Sequence, residues 1–267
     1  IEGRIVWDGS LVDITEQKQT ESLKAEFVST VSHELRTPLT SIRGSLVLVV
    51  GGAAGELPEK AKGLLRIALS NCERLVRLIN DILDIEKIES GRMQFDVKEQ
   101  PLYPLVESAI DAGRDYLSDR NISFSLEDGA PGAVVSVDAD RMHQVMTNLL
   151  SNAVKFSPPG GEVSVRTRRT PNGILRISVR DRGPGIPEEF RSRVFGRFEQ
   201  ADGSDTRAQA GTGLGLNITK AIVERFDGRI SFDSEPGIGT VFHVDLPEVA
   251  APRGIDLSLL TGRTPAP

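Results

Sequence analysis

A chain of 267 residues, 39% hydrophobic and 26% charged, has the composition of an ordinary globular protein and suits about two domains. Its net charge of −6 repels a phosphate backbone and argues against a nucleic-acid partner; the longest uncharged apolar run, Gly44 to Gly55, is shorter than the roughly 18 to 20 residues a bilayer crossing needs. A single cysteine, Cys72, excludes a disulfide framework and, at helical spacing from Leu69, Leu75 and Val76, reads as core packing.

The chain opens with Ile rather than Met, which marks it as part of something longer or processed. Ile1-Glu2-Gly3-Arg4 reads equally as a vector-derived protease-recognition sequence or as natural chain, so residues 1–14 are a tag or the remnant of a preceding domain. Residues 5–12, "IVWDGSLV", form two short extended pieces about an Asp8-Gly9 turn. A long helix begins near residue 15, where Asp13 or Thr15 can cap it. At about 100° per residue Leu23, Phe27, Val31, Leu35, Ile42 and Leu46 share one face, and His33 projects roughly opposite them. Pro38 predicts a kink one turn past His33.

Glycines and a proline in "GGAAGELPE" (51–59) break the pattern, which resumes from Ala61 to Ile88 with Leu64, Ile67, Leu75, Leu78, Ile82 and Ile85. Two such helices make an antiparallel hairpin whose apolar stripes exceed what one partner covers. The texture changes near residue 95. Beyond it helices are predicted at 105–120, 141–157 and about 215–226, and strands at 123–126, 134–137, 162–168, 174–180, 229–233 and 240–246, with the helices on one face of a sheet. The tail from Glu248 has three prolines and little periodicity, as a linker or disordered end does.

Four stretches of this second part carry chemistry. In "NLLSNAVKFS" (148–157) Asn148, Asn152, Lys155 and Phe156 fall along one helix edge; carboxamide oxygens suit a hard cation, a lysine suits phosphate and an aromatic ring can stack on a base. "DRGPGIP" (181–187) offers Asp181 as an acceptor for an amino group and Gly183 and Gly185 for close backbone approach. "GTGLGLNI" (211–218) puts glycines before a helix, where free N–H groups favour phosphate. "VFGRFEQ" (194–200) brackets a basic residue with Phe195 and Phe198, by itself a plain core-packing pattern. His143 and His243 each stand without a second ligand at metal spacing, so packing or surface roles are expected.

In this order, and preceded by "SHELRTPL" (32–39), these stretches resemble the two-component sensor histidine kinases over about residues 20–247. The resemblance implies an α plus α/β fold: an antiparallel helical hairpin dimerising into a four-helix bundle, then an α/β sandwich ATP-binding domain of the GHKL (Bergerat) type. It implies a signalling helix or coiled coil over 15–30, dimerisation and histidine phosphotransfer over 20–92, catalysis over 96–247, and a linker or tail over 248–267. "IVWDGSLVDITEQK" resembles the last strand and exit helix of a PAS sensor domain, which implies an upstream sensor acting through the first helix.

The same resemblance implies that His33 accepts the γ-phosphoryl of ATP, that Glu34 assists its imidazole, and that Thr37 orients a water during dephosphorylation of the partner. It makes Asn152 the Mg2+ ligand, with Asn148 beside the triphosphate, Lys155 on phosphate and Phe156 near adenine. Asp181 takes the adenine amino group; Gly183 and Gly185 allow its approach; Gly211, Thr212, Gly213, Leu214, Gly215 and Leu216 form the phosphate-side loop; Thr240 supports the base pocket; and residues 196–212 form a mobile segment that Phe195 and Phe198 are expected to anchor to the core. The implied partners are a second copy of the chain and a response-regulator receiver domain. This part is expected to be cytoplasmic, with membrane anchoring of a longer parent left open. Two alternatives are an ATPase of the gyrase and chaperone type, which carries a glutamate base where this chain has Asn148, and a dimeric scaffold that binds ATP without transfer.

Overall fold

The computed structural model describes residues 13, 15–116, 121–200 and 212–249; the expected strands at 5–12, Gly211, most of the expected mobile segment and the tail beyond residue 249 lie outside them. The chain divides into two compact units, Ile1–Met93 and Gln94–Pro267.

The first unit is a helical hairpin. Helix α1 spans Thr15–Val50 with Pro38 inside it, and α2 spans Glu59–Glu89. Asp13 Oδ1 accepts the Thr15 N–H at 2.9 Å and starts α1. The seam between the helices is narrow. Cys72, Ile79 and Leu83 are buried along α2, the Cys72 thiol lies 3.4 Å from the Leu39 carbonyl, and Arg36 donates to Asn80 Oδ1 at 3.1 Å across the hairpin. The expected α2 stripe is therefore not the seam, which runs beside it: of Leu64, Ile67, Leu75, Leu78, Ile82 and Ile85 only Ile85 is buried. Leu64, Ile67 and Leu75 are exposed, as are Leu23, Leu35 and Ile42 on α1, while the Phe27 side chain lies outside the description. A helix buries one stripe against one neighbour, so the remainder of a broad apolar face stays open in a two-helix unit. Among the described residues no helix is long and apolar enough to cross a membrane.

The second unit is an α/β sandwich. Strands β1 (Lys98–Pro101), β2 (Ser123–Gly129), β3 (Val134–Val137), β4 (Glu162–Thr170), β5 (Ile174–Arg180), β6 (Arg229–Glu235) and β7 (Gly239–Pro247) accompany helices α3 (Leu102–Tyr116), α4 (Ala139–Phe156) and α5 (Gly215–Arg225). Five strands form one sheet in the order β2-β4-β5-β7-β6, and β1 and β3 form a separate ribbon. All neighbours in the large sheet are antiparallel except β2 and β4, which are parallel. That pair follows from the intervening β3 and α4, a crossover of the kind parallel strands require.

Alternation decides which sheet face is covered. Val163 and Val165 on β4, Leu175, Ile177 and Val179 on β5, and Phe242, Val244 and Leu246 on β7 are all buried. They meet Met142, Val145, Met146, Leu149 and Leu150 of α4 and Ile218, Ile222 and Val223 of α5, also buried. The intervening residues form the open face. There the Arg176 guanidinium makes a two-point bridge to Asp245 at 2.6 Å from each nitrogen, and His243 joins Ser178 Oγ (2.9 Å) to Asp233 Oδ2 (3.0 Å). Asp138 caps α4, its carboxylate accepting the Arg141 N–H at 3.1 Å and the Asp96 N–H at 2.8 Å. The aperiodic sequence around β1 and the 3-10 helix Glu188–Arg193 gave no period to read.

Leu149 is fully buried at the centre of this layer, whereas Arg168 stands exposed on the open face. Leu149→Ala is expected to lower the unfolding free energy of this unit by about 2–5 kcal/mol, and Arg168→Ala to change it by no more than about 0.5 kcal/mol. Urea unfolding of the two variants checks the contrast; equal effects would contradict the layer assignment.

Candidate functional site

His33 lies on α1 with its side chain 75% exposed, as its position off the apolar stripe predicts. Its Nδ1 is 3.7 Å from Glu34 Oε1, beyond a direct hydrogen bond but on the side of the ring that the carboxylate approaches. No hydrogen bond engages Nε2 among the described residues. One turn on, the Thr37 hydroxyl donates to the His33 carbonyl at 3.4 Å, which orients the side chain back along the helix toward the histidine.

In the second unit, α4 presents a polar edge beside its buried stripe. The edge touches the start of α5 at one end. Asn148 Nδ2 donates to the Gly215 carbonyl at 3.2 Å and to Thr219 Oγ1 at 3.3 Å. Asn152, a turn later, is half-buried and makes no side-chain hydrogen bond among the described residues. Lys155 lies 4.7 Å over the ring of Phe156, and Phe156 is half exposed at the helix end. Here the edge meets the second motif: a Cβ on Gly183 would fall 2.7 Å from the Phe156 carbonyl oxygen.

Asp181 is the buried centre of that motif, 4% exposed. Its Oδ1 accepts two backbone N–H groups, Gly183 at 2.8 Å and Thr240 at 3.3 Å, and its own N–H donates to the Thr240 carbonyl at 2.9 Å. No donor meets Oδ2 among the described residues. Burial pushes the carboxyl upward from its ordinary range, and the two N–H groups oppose that shift in part. Behind it, Thr240 Oγ1 and Ser234 Oγ are 2.9 Å apart, and Ser234 Oγ accepts the Ile186 N–H at 2.8 Å. Gly185, at φ 76°, packs its α-carbon against the Glu235 carbonyl so closely that any side chain there would collide.

The third motif opens α5. Leu214 occupies the N-cap position without a side-chain hydrogen bond to the helix, so among the described residues the first-turn N–H groups lack a cap. Leu214 itself is buried and Leu216 half-buried, which makes them supports of the loop. Thr212 Oγ1 accepts the Leu214 N–H at 3.3 Å. Gly213, at φ 73°, runs so near the preceding motif that a Cβ would lie 2.8 Å from the Phe198 carbonyl carbon. Gly215 sits 3.4 Å, by the same measure, from the Asn148 carboxamide.

The residues of the second unit thus converge on α4: Asn148 touches the glycine loop before α5, and Phe156 touches the loop after Asp181. One expectation is corrected. Phe195 packs on Phe232 and Phe242, at ring-centroid distances of 5.9 and 6.4 Å, but Phe198 is 64% exposed at φ 58°, and its ring is not packed into the core among the described residues. Sequence reading also passed over Asn217, whose Nδ2 donates to the Phe195 carbonyl at 3.0 Å, and Ser234. The signal for Asn217 was a polar residue in the first turn of an otherwise apolar helix start. A groove of about 460 Å3 lined by Arg180, Asp233, Glu235, Ile238 and Val241 includes none of the expected binding residues.

These residues fit a nucleotide. Asp181, buried as a residue, keeps one carboxylate oxygen without a donor among the described residues, glycines keep the approach clear, an uncapped helix start offers N–H groups to an anion, and Asn152 offers a neutral oxygen of the kind a hard cation takes. Comparison with known proteins agrees. Residues 23–91 match the His Kinase A (phospho-acceptor) domain, and residues 137–250 match the family of histidine kinase-, DNA gyrase B-, and HSP90-like ATPases. The chain is 34% identical over 236 residues to the sensor protein SrrB of Staphylococcus aureus, an alignment covering 88% of this chain and 40% of SrrB; it therefore spans less than half the length of that relative. Among solved structures, full-length ShkA in complex with AMPPNP superposes with a TM-score of 0.70 at 26% identity, over 89% of this chain and 49% of ShkA. The mycobacterial sensor histidine kinase MprB gives a TM-score of 0.50 at 30% identity, over 57% of this chain and 97% of that one.

The raised Asp181 carboxyl has a consequence for folding. Its contribution to stability is full below the ordinary carboxylate range, where the group is protonated in both folded and unfolded chain, and is lost as pH rises through the raised folded value. Asp181→Asn keeps an oxygen for Gly183 and Thr240 and carries no charge. It is expected to raise the melting temperature at neutral pH and to lose that advantage at about pH 3. Calorimetric scans at the two pH values check this, and an advantage independent of pH would place its origin elsewhere.

Proposed function

The chain belongs to the two-component sensor histidine kinases, and we propose that it transfers the γ-phosphoryl group of ATP to His33 and then to an aspartate of a response-regulator receiver domain. The observation that carries the nucleotide half is the Asp181 carboxylate, buried, fixed through one oxygen and left with the other to receive an amino group. The matched ATPase family makes the second unit an ATP-binding domain; the roles of single residues are our assignment.

Asp181 Oδ2 accepts a hydrogen bond from the exocyclic amino group of adenine, an ionised acceptor in a desolvated place, where such a bond is strong. Gly183 and Gly185 admit the base, and Thr240, tied to both Asp181 and Ser234, holds the wall behind it. The uncapped start of α5 receives the phosphates, and Lys155 adds a positive charge. Asn152 would hold Mg2+, which would supply charge neutralisation for the phosphates. Asn148 serves by bonding Gly215, so it sets the glycine loop against α4 rather than activating a water; the hydrolytic ATPase alternative needs a carboxylate where this amide stands.

His33 Nε2 is the nucleophile, because Glu34 stands on the Nδ1 side. The imidazole lone pair attacks the γ-phosphorus, an N–P bond forms, the bond from phosphorus to the β-phosphate oxygen breaks, and ADP leaves with that electron pair. Glu34 draws the Nδ1 proton as the ring acquires charge. The resulting phosphoramidate then yields its phosphoryl group to the receiver carboxylate and restores the imidazole. Thr37 orients water for the reverse duty of dephosphorylating the regulator. Two copies of the chain associate through Leu35, Ile42, Leu64, Ile67 and Leu75, exposed on the hairpin, to complete a four-helix bundle, and an upstream sensor domain acts through α1.

Incubation with γ-labelled ATP and Mg2+ is expected to leave acid-labile, alkali-stable label on the wild-type chain and none on His33→Ala. Asp181→Asn, which presents a donor or an uncharged oxygen to the adenine amino group, is expected to weaken nucleotide binding about 10- to 100-fold. Steady phosphate release without labelled protein would instead establish a hydrolase, and nucleotide binding with neither would establish a scaffold.

A further inference from the structure

The first turn of α5 is held from two sides. From α4, Asn148 bonds the Gly215 carbonyl. From the other side, Asn217, the third residue of the helix, reaches 22 positions back in sequence to donate to the Phe195 carbonyl at 3.0 Å. An asparagine in a first helical turn usually bonds its own local backbone, and this one crosses to another segment instead.

What it reaches is itself fixed. The Phe195 ring packs on Phe232 and Phe242, whose rings are 5.8 Å apart. Phe242 lies on β7 two residues beyond Thr240, and the Thr240 N–H bonds Asp181 Oδ1. A continuous path of contacts therefore runs from Asp181 through Thr240, β7 and Phe195 to Asn217. The same path is braced where Gly213 runs against the Phe198 backbone. One end of the path bears the base-binding carboxylate and the other the uncapped amides of α5.

We infer that Asn217 is a positioning residue, whose carboxamide sets the spacing between the Asp181 carboxylate and the start of α5 and so matches the site to a nucleoside bearing a phosphate chain. This rests on the nucleotide reading above. Asn217 touches neither base nor phosphate in this role. Its loss leaves Asp181 and its two N–H partners in place but frees the helix start to shift against them.

The test is titration of the full chain with MgATP and, separately, with adenosine, for wild type, Asn217→Ala and Asn217→Asp, together with their melting temperatures. Asn217→Ala is expected to weaken MgATP about 10-fold while adenosine stays within about 2-fold, since only the longer ligand spans both ends. Asn217→Asp cannot donate to Phe195 and adds negative charge near the phosphates, so its loss for MgATP should be larger still. A parallel fall for both ligands would reveal general loss of structure, and unchanged MgATP affinity would show that the contact sets nothing; either result overturns the assignment. A wild-type chain that binds neither ligand would bring down the nucleotide reading, and the role of Asn217 with it.

Discussion

One buried carboxylate organises the catalytic unit. Asp181 stands at the point where β5 ends and its chain leaves the sheet, yet it remains paired with β7: its N–H goes to the Thr240 carbonyl and the Thr240 N–H returns to its side chain. Gathering both backbone donors onto Oδ1 is what leaves Oδ2 open. An acid desolvated in this way disfavours its own charge, and the fold accepts that cost because two strands and a glycine turn hold the group where it is. On the proposed function, binding and stability pull on the same side chain in opposite directions, as they commonly do at binding sites.

Around this point α4 acts as a beam. Its buried stripe, Met142 to Val154, locks it to the sheet, and the helical period then dictates that Asn148, Asn152 and Phe156 follow each other along one adjacent edge. Two loops distant in sequence are thereby referred to one rigid element. Asn148 fixes the loop before α5, and the carbonyl of Phe156 sets how near the Gly183 turn can come. The geometry of a flexible-looking, glycine-rich site is thus inherited from a helix whose register is fixed by Val145, Met146, Leu149 and Leu150.

Much of this was legible in the sequence because it rests on local rules. His33 off the apolar stripe, glycines where backbone must approach backbone, and alternation along β4, β5 and β7 each leave a mark within a few residues. What escaped depended on neighbours that sequence does not display. Phe195 and Phe198 look alike in "VFGRFEQ", but only one of them faces Phe232 and Phe242; a left-handed backbone at Phe198 turns the other outward. Asn217 gains its partner only when Phe195 is brought to α5. The parallel pairing of β2 with β4 is a matter of topology, which alternation alone does not reveal, and β1 is too short to show a period. On α2 the stripe read from the sequence, Leu64 to Ile85, missed most of the seam: Cys72, Ile79 and Leu83 lie beside it and are buried, Leu64, Ile67 and Leu75 stay open, and this division between a buried and an open face needed the second helix in place.

That division gives the two units different dependence on their surroundings. The catalytic unit closes its core with its own residues: the fully buried side chains of α4, α5 and β7 have no need of another chain. The hairpin does not, since a two-helix unit with large apolar residues left exposed along both helices has half a core. Its stability must rise with association by mass action, while that of the nucleotide-binding unit should not. On the proposed function, a change in how hairpins pack bears on the element carrying His33, while the Asp181 centre is built wholly from residues of the second unit. Under that proposal the acceptor lies on the unit with the incomplete core and the nucleotide on the unit with the complete one, so phosphoryl transfer is expected to depend on assembly while nucleotide affinity does not.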